Sequence, residues 1–242
     1  MSSTQRRNLV LTWLALLSAA IGFMTWSHAA QERKVTGFHE INVHRINILE
    51  PDGKPRVIIA SKAQMSNAWY NGKEYLHRSN ENGGFLFFND DGSECGGMGF
   101  QNHVEGGRVF ASANLNFDQY NQDNTVRLQY GQDGDANQAG LVVVDRPDKS
   151  IVPVLELVDK RARARTDAER AAVDAQLRAI EGDYAGSGSR RFFAGKEQGE
   201  ALVRLSDKQG RPRLVLKVDH DGEASVEFLD ENGKLTQRLT GE

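Results

Sequence analysis

Cysteine is all but absent: the 242-residue chain has one, Cys95. No internal disulfide is available, so stability must come from a packed core. A lone thiol with no clear His partner nearby in sequence reads as a small buried group rather than a nucleophile. Catalytic signatures are missing too. There is no G-x-S-x-G, no H-E-x-x-H and no G-G-x-G-x-D array in the sequence, which removes the commonest hydrolase elbow, the zincin helix and the calcium solenoid. An excess of positive charge is also lacking. Residues 31–242 hold 28 Lys and Arg against 33 Asp and Glu, and a mildly acidic surface argues against nucleic acid as a partner.

What is present begins at the N-terminus. Arg6 and Arg7 precede a stretch without charge from Leu9 to Trp26, followed by Ser27-His28-Ala29. A positive start, an apolar run and small residues make an export signal. The run is longer than the ~7–15 residues of a cleaved signal core and reaches the lower limit of roughly 17 for a spanning helix. Residues 1–30 therefore read as signal peptide or N-terminal membrane anchor, with attachment through residues 9–26 slightly favoured. Both readings leave residues 31–242 outside the cytoplasm, periplasmic or secreted. No Cys follows the run, which excludes a bacterial lipoprotein anchor.

The remaining 31–242 hold enough chain for one β-rich domain. One template recurs in it: an apolar strand, an acid or Asn, two variable residues, then Gly, Asn or Asp, then another strand. Copies start at Glu50, Asn89, Asp118, Asp145, Asp207 and Asp230. The Asp145 copy is the weakest, because Pro147 and Pro153 disturb the segment after it. Asp at a turn's first position can bond the backbone two residues on, and Gly at the fourth tolerates a left-handed backbone. Flanking residues alternate: Leu214, Leu216 and Val218 share one side, as do Val126, Leu128 and Tyr130. Asn71-Gly72, Gly106-Gly107, Gln132-Asp133-Gly134 and His220-Asp221-Gly222 mark the links. The chain thus reads as antiparallel hairpin repeats forming a closed or nearly closed β-barrel, with a propeller-like ring as the alternative. A one- or two-helix insertion is expected at about 154–182, opened by the capping box Thr166-x-x-Glu169 and ended by Gly182. Its Lys160, Arg161, Arg163 and Arg165 read as a solvated basic face.

Three blocks resemble a family of uncharacterised exported bacterial proteins. They are "EINVHRINILEPDGKPRVIIASK", "NGKEYLHRSNENGGFLFFNDDGSECGGMGF" and "LNFDQYNQDNTVRLQY". The likeness lies in the order R-I-N-Φ-x-E-x-D-G, G-K-E-Y, N-D-x-G-x-E-x-G-G and Φ-x-F-D-x-Y-x-Q-D, where Φ is apolar, and covers roughly residues 36–148. The resemblance implies no catalytic residue. Cys95 stands where similar proteins are expected to carry Asn, a departure that argues against thiol chemistry.

The densest stretch, "GFLFFNDDGSECGGMGF" at 84–100, offers Asn89, Asp90, Asp91 and Glu94 as oxygen ligands. Their spacing does not fit an EF-hand, and a hairpin turn accounts for them. His39 and His44 are five apart, which on a strand sends them to opposite faces; His77, His103 and His220 are scattered. No metal site and no cofactor site is therefore expected, and catalytic residues are left unassigned. A glycosidase needs only two facing carboxylates; Glu50, Glu74 and Glu94 are possible members. Trp69, Tyr70, Tyr75, Phe100 and Tyr120 are candidates for a binding surface and read more readily as core. Gly96, Gly97 and Gly99 strip side chains from one strand, for a bend or for close approach to its backbone. The leading expectation is a non-enzymatic module that binds an envelope protein or ligand. The alternative is an envelope polymer or glycan hydrolase using paired carboxylates.

Overall fold

The computed structural model describes residues 2–29, 36–76, 82–181 and 188–241. The chain divides into two units, Met1–Asn42 and Val43–Glu242. The first holds one helix, α1, Ser3–Ala29. Among the described residues no helix is long and apolar enough to cross a membrane.

The second unit is mainly β. Twelve strands form one antiparallel sheet: β1 Arg45–Leu49, β2 Pro55–Ala60, β5 Gly83–Phe88, β6 Glu94–Glu105, β7 Arg108–Asp118, β8 Asn124–Asp133, β9 Ala136–Asp145, β10 Ser189–Glu197, β11 Glu200–Ser206, β12 Pro212–Val218, β13 Ala224–Leu229 and β14 Leu235–Thr240. A separate hairpin, β3 Ala68–Tyr70 with β4 Lys73–Tyr75, is inserted between β2 and β5. Sheet order follows chain order, and β1 does not pair with β14. The expectation of a closed barrel, and that of a propeller-like ring, are both overturned: the strands make one open meander. Turns fix which strands are neighbours, but closure depends on accumulated twist and curvature, which turn residues do not specify.

The repeat is a hydrogen-bond pattern. At 50, 89, 119, 207, 219 and 230 the first residue's N–H donates to the carbonyl four residues on, and the fourth residue's N–H donates back to the first carbonyl. Gly53, Gly92, Gly210, Gly222 and Gly233 all have φ between 78° and 88° there, a region costly for any residue with a Cβ. In the last three turns the Asp Oδ1 also accepts the N–H groups two and four residues on, at 2.8–3.1 Å. The Arg of the two G-x-P-R copies has one job in both. Arg56 donates to the Phe88 carbonyl at 3.2 Å and Arg213 to the Leu229 carbonyl at 2.9 Å, each just before another such turn, at Asn89 and at Asp230.

Three details differ from the sequence reading. The third turn begins at Gln119, not Asp118, although Asn121 does take a left-handed φ of 57°. Asp219-x-x-Gly222, expected only as a link, is a full copy. Asp145 makes no hairpin. There the chain leaves the sheet through α2, Val152–Arg163, and α3, Asp167–Glu181, before returning as β10 beside β9. The capping box is present: Glu169 N–H donates to Thr166 Oγ1 at 3.2 Å and Thr166 N–H to Glu169 Oε2 at 3.1 Å. Gly182, the expected helix stop, lies outside the described residues. Arg161 pairs with Asp174 at 2.6 Å and Arg163 with Asp159 at 2.9 Å, so much of the basic patch is internally neutralised.

Register makes the two faces of the sheet chemically unlike. One row of direct cross-strand neighbours runs Ile46, Ile59, Phe85, Met98, Leu115, Leu128, Leu141, Ala194, Val203, Leu216, Val226, Leu239. Every member is apolar, and none is buried. The parallel row from Ile48 through Phe117, Val143 and Leu205 to Phe228 is equally uncharged. The opposite, mixed face carries the core. Val142, Val144, Phe193, Leu202 and Val215 form one buried cluster, flanked by Arg204, which lies over the Phe193 ring at 5.9 Å. Ile58, Ala60, Leu86 and Phe88 form another, capped by Met65 and Trp69. Ala68, Tyr70, Tyr75 and Leu155 form a third, where α2 packs on the β3–β4 hairpin. Leu214, Leu216 and Val218 do share a side, as the alternation requires, but it is the side left open.

The turn carboxylates give a pH signature. Asp219 and Asp230 sit below their ordinary value of 3.8, chiefly because the N–H of Glu223 or Lys234 bonds the ionised form. At Asp207 desolvation works against the shift and the hydrogen bonds of Arg211 outweigh it. A depressed native pKa adds stability above the unfolded value and loses it as pH falls through the folded value. Melting temperature should stay level from pH 7 to about 5 and drop below about pH 4. In the D207N/D219N/D230N variant that drop should be shallower; an unchanged acid limb would remove any stabilising role for these turn carboxylates.

Candidate functional site

A polar recess of about 390 Å³ opens on the mixed face beside Met65, bounded by β5, β6, β7 and the start of β8. Its volume lies in the range of small-ligand sites. Asn82, Asn114, Asn116 and Asn124 supply carboxamides, Glu94, Asp118 and Asp123 supply carboxylates, and Gly97 and Gly99 form bare backbone between them. No Lys, Arg or His lines it. Alternation explains the grouping: Gly97 pairs with Asn116 and Gly99 with Asn114, so all four positions share a face.

Hydrogen bonds hold much of this set in place. Asn116 Nδ2 donates to Asn114 Oδ1 at 2.8 Å. Asn124 Nδ2 donates to Asp118 Oδ1 at 3.0 Å and also to Asp123 Oδ1. Asp123 meets Arg146 at 3.4 Å. Two buried acceptors, Asn82 Oδ1 and Asn116 Oδ1, receive no hydrogen bond from the protein. A buried carbonyl oxygen left so is costly and matches a donor brought by something else.

The three glycines of "ECGGMGF" have separate causes. A Cβ on Gly96 would lie 2.3 Å from the Asn116 carbonyl oxygen, and one on Gly97 would lie 2.5 Å from that of Phe85. Both are required by the close passage of neighbouring strands. A Cβ on Gly99 meets only Asn114 and Asn82 atoms, at 3.8 Å or more. Gly99 is therefore not demanded by the sheet; its missing side chain is space in the recess. Cys95 is half-buried. Burial pushes its thiol pKa up, and the Asp118 and Glu94 carboxylates push it further, so it stays protonated at neutral pH and is a poor nucleophile.

Of the other residues singled out in the sequence, Glu94 and Asp118 lie at the recess. Glu50 Oε1 binds Arg56 at 2.6 Å, and Glu74 Oε1 accepts from the Asn67 N–H at 3.0 Å; both are structural. Asp90 pairs with Arg56 at 2.6 Å. At Asp91 burial opposes ionisation, but the Ser93 N–H at 2.8 Å and Tyr120 Oη at 2.9 Å hold the pKa down. His44 belongs to the second unit and His39 to the first; His103 stacks on Phe110 at 4.7 Å; His220 sits 3.3 Å from Asp221 on the surface; His77 lies outside the described residues. Among the described residues no group of three His, Cys, Asp or Glu converges for a metal ion. Trp69 donates to Ser66 Oγ at 2.9 Å, and Tyr70 and Tyr75 are core. Phe100 is exposed on the apolar face.

The asparagines are the residues that sequence reading misses. Their signal is the alternation Asn114-x-Asn116 opposite Gly97-x-Gly99, visible only once β6 and β7 are put in register. No protein-family model matches the chain, and none of the curated proteins matches it.

Gly97→Ala should lower stability by about 1–3 kcal/mol, because its methyl must displace backbone. Gly99→Ala should leave the melting temperature within about 2 °C of the parent, since the methyl enters open space. Equal losses at the two positions would mean that the recess is not built as described.

Proposed function

We propose that this chain is a non-enzymatic binding module that takes a neutral, hydroxyl-rich ligand, such as a glycan segment, in the Asn/Gly recess. The observation that carries the reading is the pair of buried acceptors without a protein partner, Asn82 Oδ1 and Asn116 Oδ1, on two asparagines that line a recess with carboxylates and no lining cation. Hydroxyl groups donate to such acceptors and also accept from carboxamide N–H groups. Anionic ligands are disfavoured by Glu94 and Asp118, since the lining has carboxylates and no positive side chain, while Asp123 is paired with Arg146.

The hydrolase reading draws on the same three acids. It is the weaker one because Asn124 holds both Asp118 and Asp123 as hydrogen-bond acceptors, whereas a general acid must carry a proton. Arg6, Arg7 and the uncharged run Leu9–Trp26 support export, which would place the recess in the envelope or outside the cell. N-terminal sequencing of the secreted or periplasmic protein should find a terminus near Ala30 or Gln31; recovery of Met1 in that fraction would oppose cleavage.

Titration calorimetry against neutral oligosaccharides of glucose, galactose and N-acetylhexosamines tests the ligand reading. The wild type should bind at least one of them, and Gly99→Ala should bind at least ~10-fold more weakly because its methyl takes up space in the recess. Absence of binding by the wild type, or equal binding by Gly99→Ala, would overturn it. Turnover of a bound oligosaccharide would favour the hydrolase instead.

A further inference from the structure

Among the described residues of the Val43–Glu242 unit, none covers the apolar face of the sheet. The β3–β4 hairpin, α2 and all three core clusters belong to the mixed face or to each other. Large side chains on the apolar face, among them Phe117, Leu128, Leu205, Leu216 and Leu239, are 38–62 % exposed. Fourteen such side chains, from Ile46 to Leu239, lie on this face; at roughly 150 Å² each when fully exposed and about half exposed, they present about 1,000 Å² of apolar surface, against ~300–600 Å² for the largest patch on an ordinary monomer. A standard stable interface needs about 800 Å² per partner.

We propose that a second copy of this chain covers this face, in a face-to-face dimer of sheets. The surface is self-complementary in relief. Phe117 and Leu128 stand out from β7 and β8, with exposures of 52 % and 58 %. On the same face β11–β14 form an apolar hollow of about 660 Å³ floored by Ala201 and Ala224 and walled by Leu216 and Leu239. A two-fold axis brings the ridge of each copy to the hollow of the other, the pattern that an isologous contact requires. Packed sheets of this kind interleave their inner side chains as in a β-sandwich.

Lipid is the competing occupant, and three observations disfavour it. β11 to β14 have seven, seven, six and six residues, whereas a spanning strand needs about 9–11. Both sheet edges are unpaired with each other, which hydrocarbon does not tolerate. Residues 31–242 carry more acid than base, which gives no attraction to anionic headgroups.

Sedimentation velocity of the detergent-free protein decides between them. All three core clusters and both sheets lie in Val43–Glu242, so this unit can be used beside the full chain. The wild type should sediment as a dimer at micromolar concentration. Leu128→Lys, which puts a charge in the contact twice, and Ala224→Phe, which fills the hollow, should each raise the dimer dissociation constant at least ~100-fold. Their far-UV circular dichroism should be unchanged, because neither position is in the core; Leu128→Ser gives a milder check should the lysine variant misfold. A monomeric wild type, or a dimer indifferent to all three substitutions, would overturn the proposal. Flotation of a monomeric wild type with phosphatidylcholine or phosphatidylglycerol vesicles, abolished by Leu128→Lys, would assign the face to lipid instead.

Discussion

The structure depends on register. In a strand, side chains alternate between faces with a period of two, so a slip of one residue would turn every apolar side chain to the other side. Six turns with one hydrogen-bond pattern prevent that slip, and left-handed glycines make the pattern accessible to the backbone. Arg56 and Arg213 each tie a turn to the strand end before another such turn. Once register is set, an uncharged row spans all twelve strands from Ile46 to Leu239, with Lys196 as a charged neighbour of that row beside Ala201, and the recess-lining polar residues lie on the opposite side.

Local chemistry is readable in the sequence; long-range geometry is not. The D-x-x-G turns, the alternation around Leu216 and Leu128, and the Thr166-x-x-Glu169 box each depend on residues within a few positions. Asp145 misleads because it has the right type at the right end of a strand. The two prolines after it, Pro147 and Pro153, are the sign that a hairpin fails there, and α2 and α3 occupy the place of one. Asp219 escapes notice because its turn lies at the end of the sheet where two-residue turns such as Gly106-Gly107 and Gln198-Gly199 prevail. Whether the sheet closes, and which face its core lies on, depend on accumulated curvature. An apolar strand face looks the same in sequence whether it is buried against its own chain or left for something else.

The recess and the apolar face are consequences of the same register on opposite sides of one sheet. Gly97 and Gly99 alternate with Met98, so the strand that gives up two side chains to the recess contributes an apolar one to the other face. Ligand binding and self-association would therefore use separate surfaces of β6 and β7. The acids of the densest stretch, Asp90 and Asp91 beside Asn89, stabilise turns and meet Arg56 and Tyr120. The glycines beside Cys95 carry more meaning than the thiol itself.

Amide hydrogen exchange on β1 and β14 tests the open, two-faced sheet most directly. Each is a strand with one paired and one unpaired side, so alternate amides in Arg45–Leu49 and Leu235–Thr240 should exchange quickly while their neighbours, bonded to β2 and β13, are protected. Uniform protection along both strands would contradict the open sheet and point to closure between its ends.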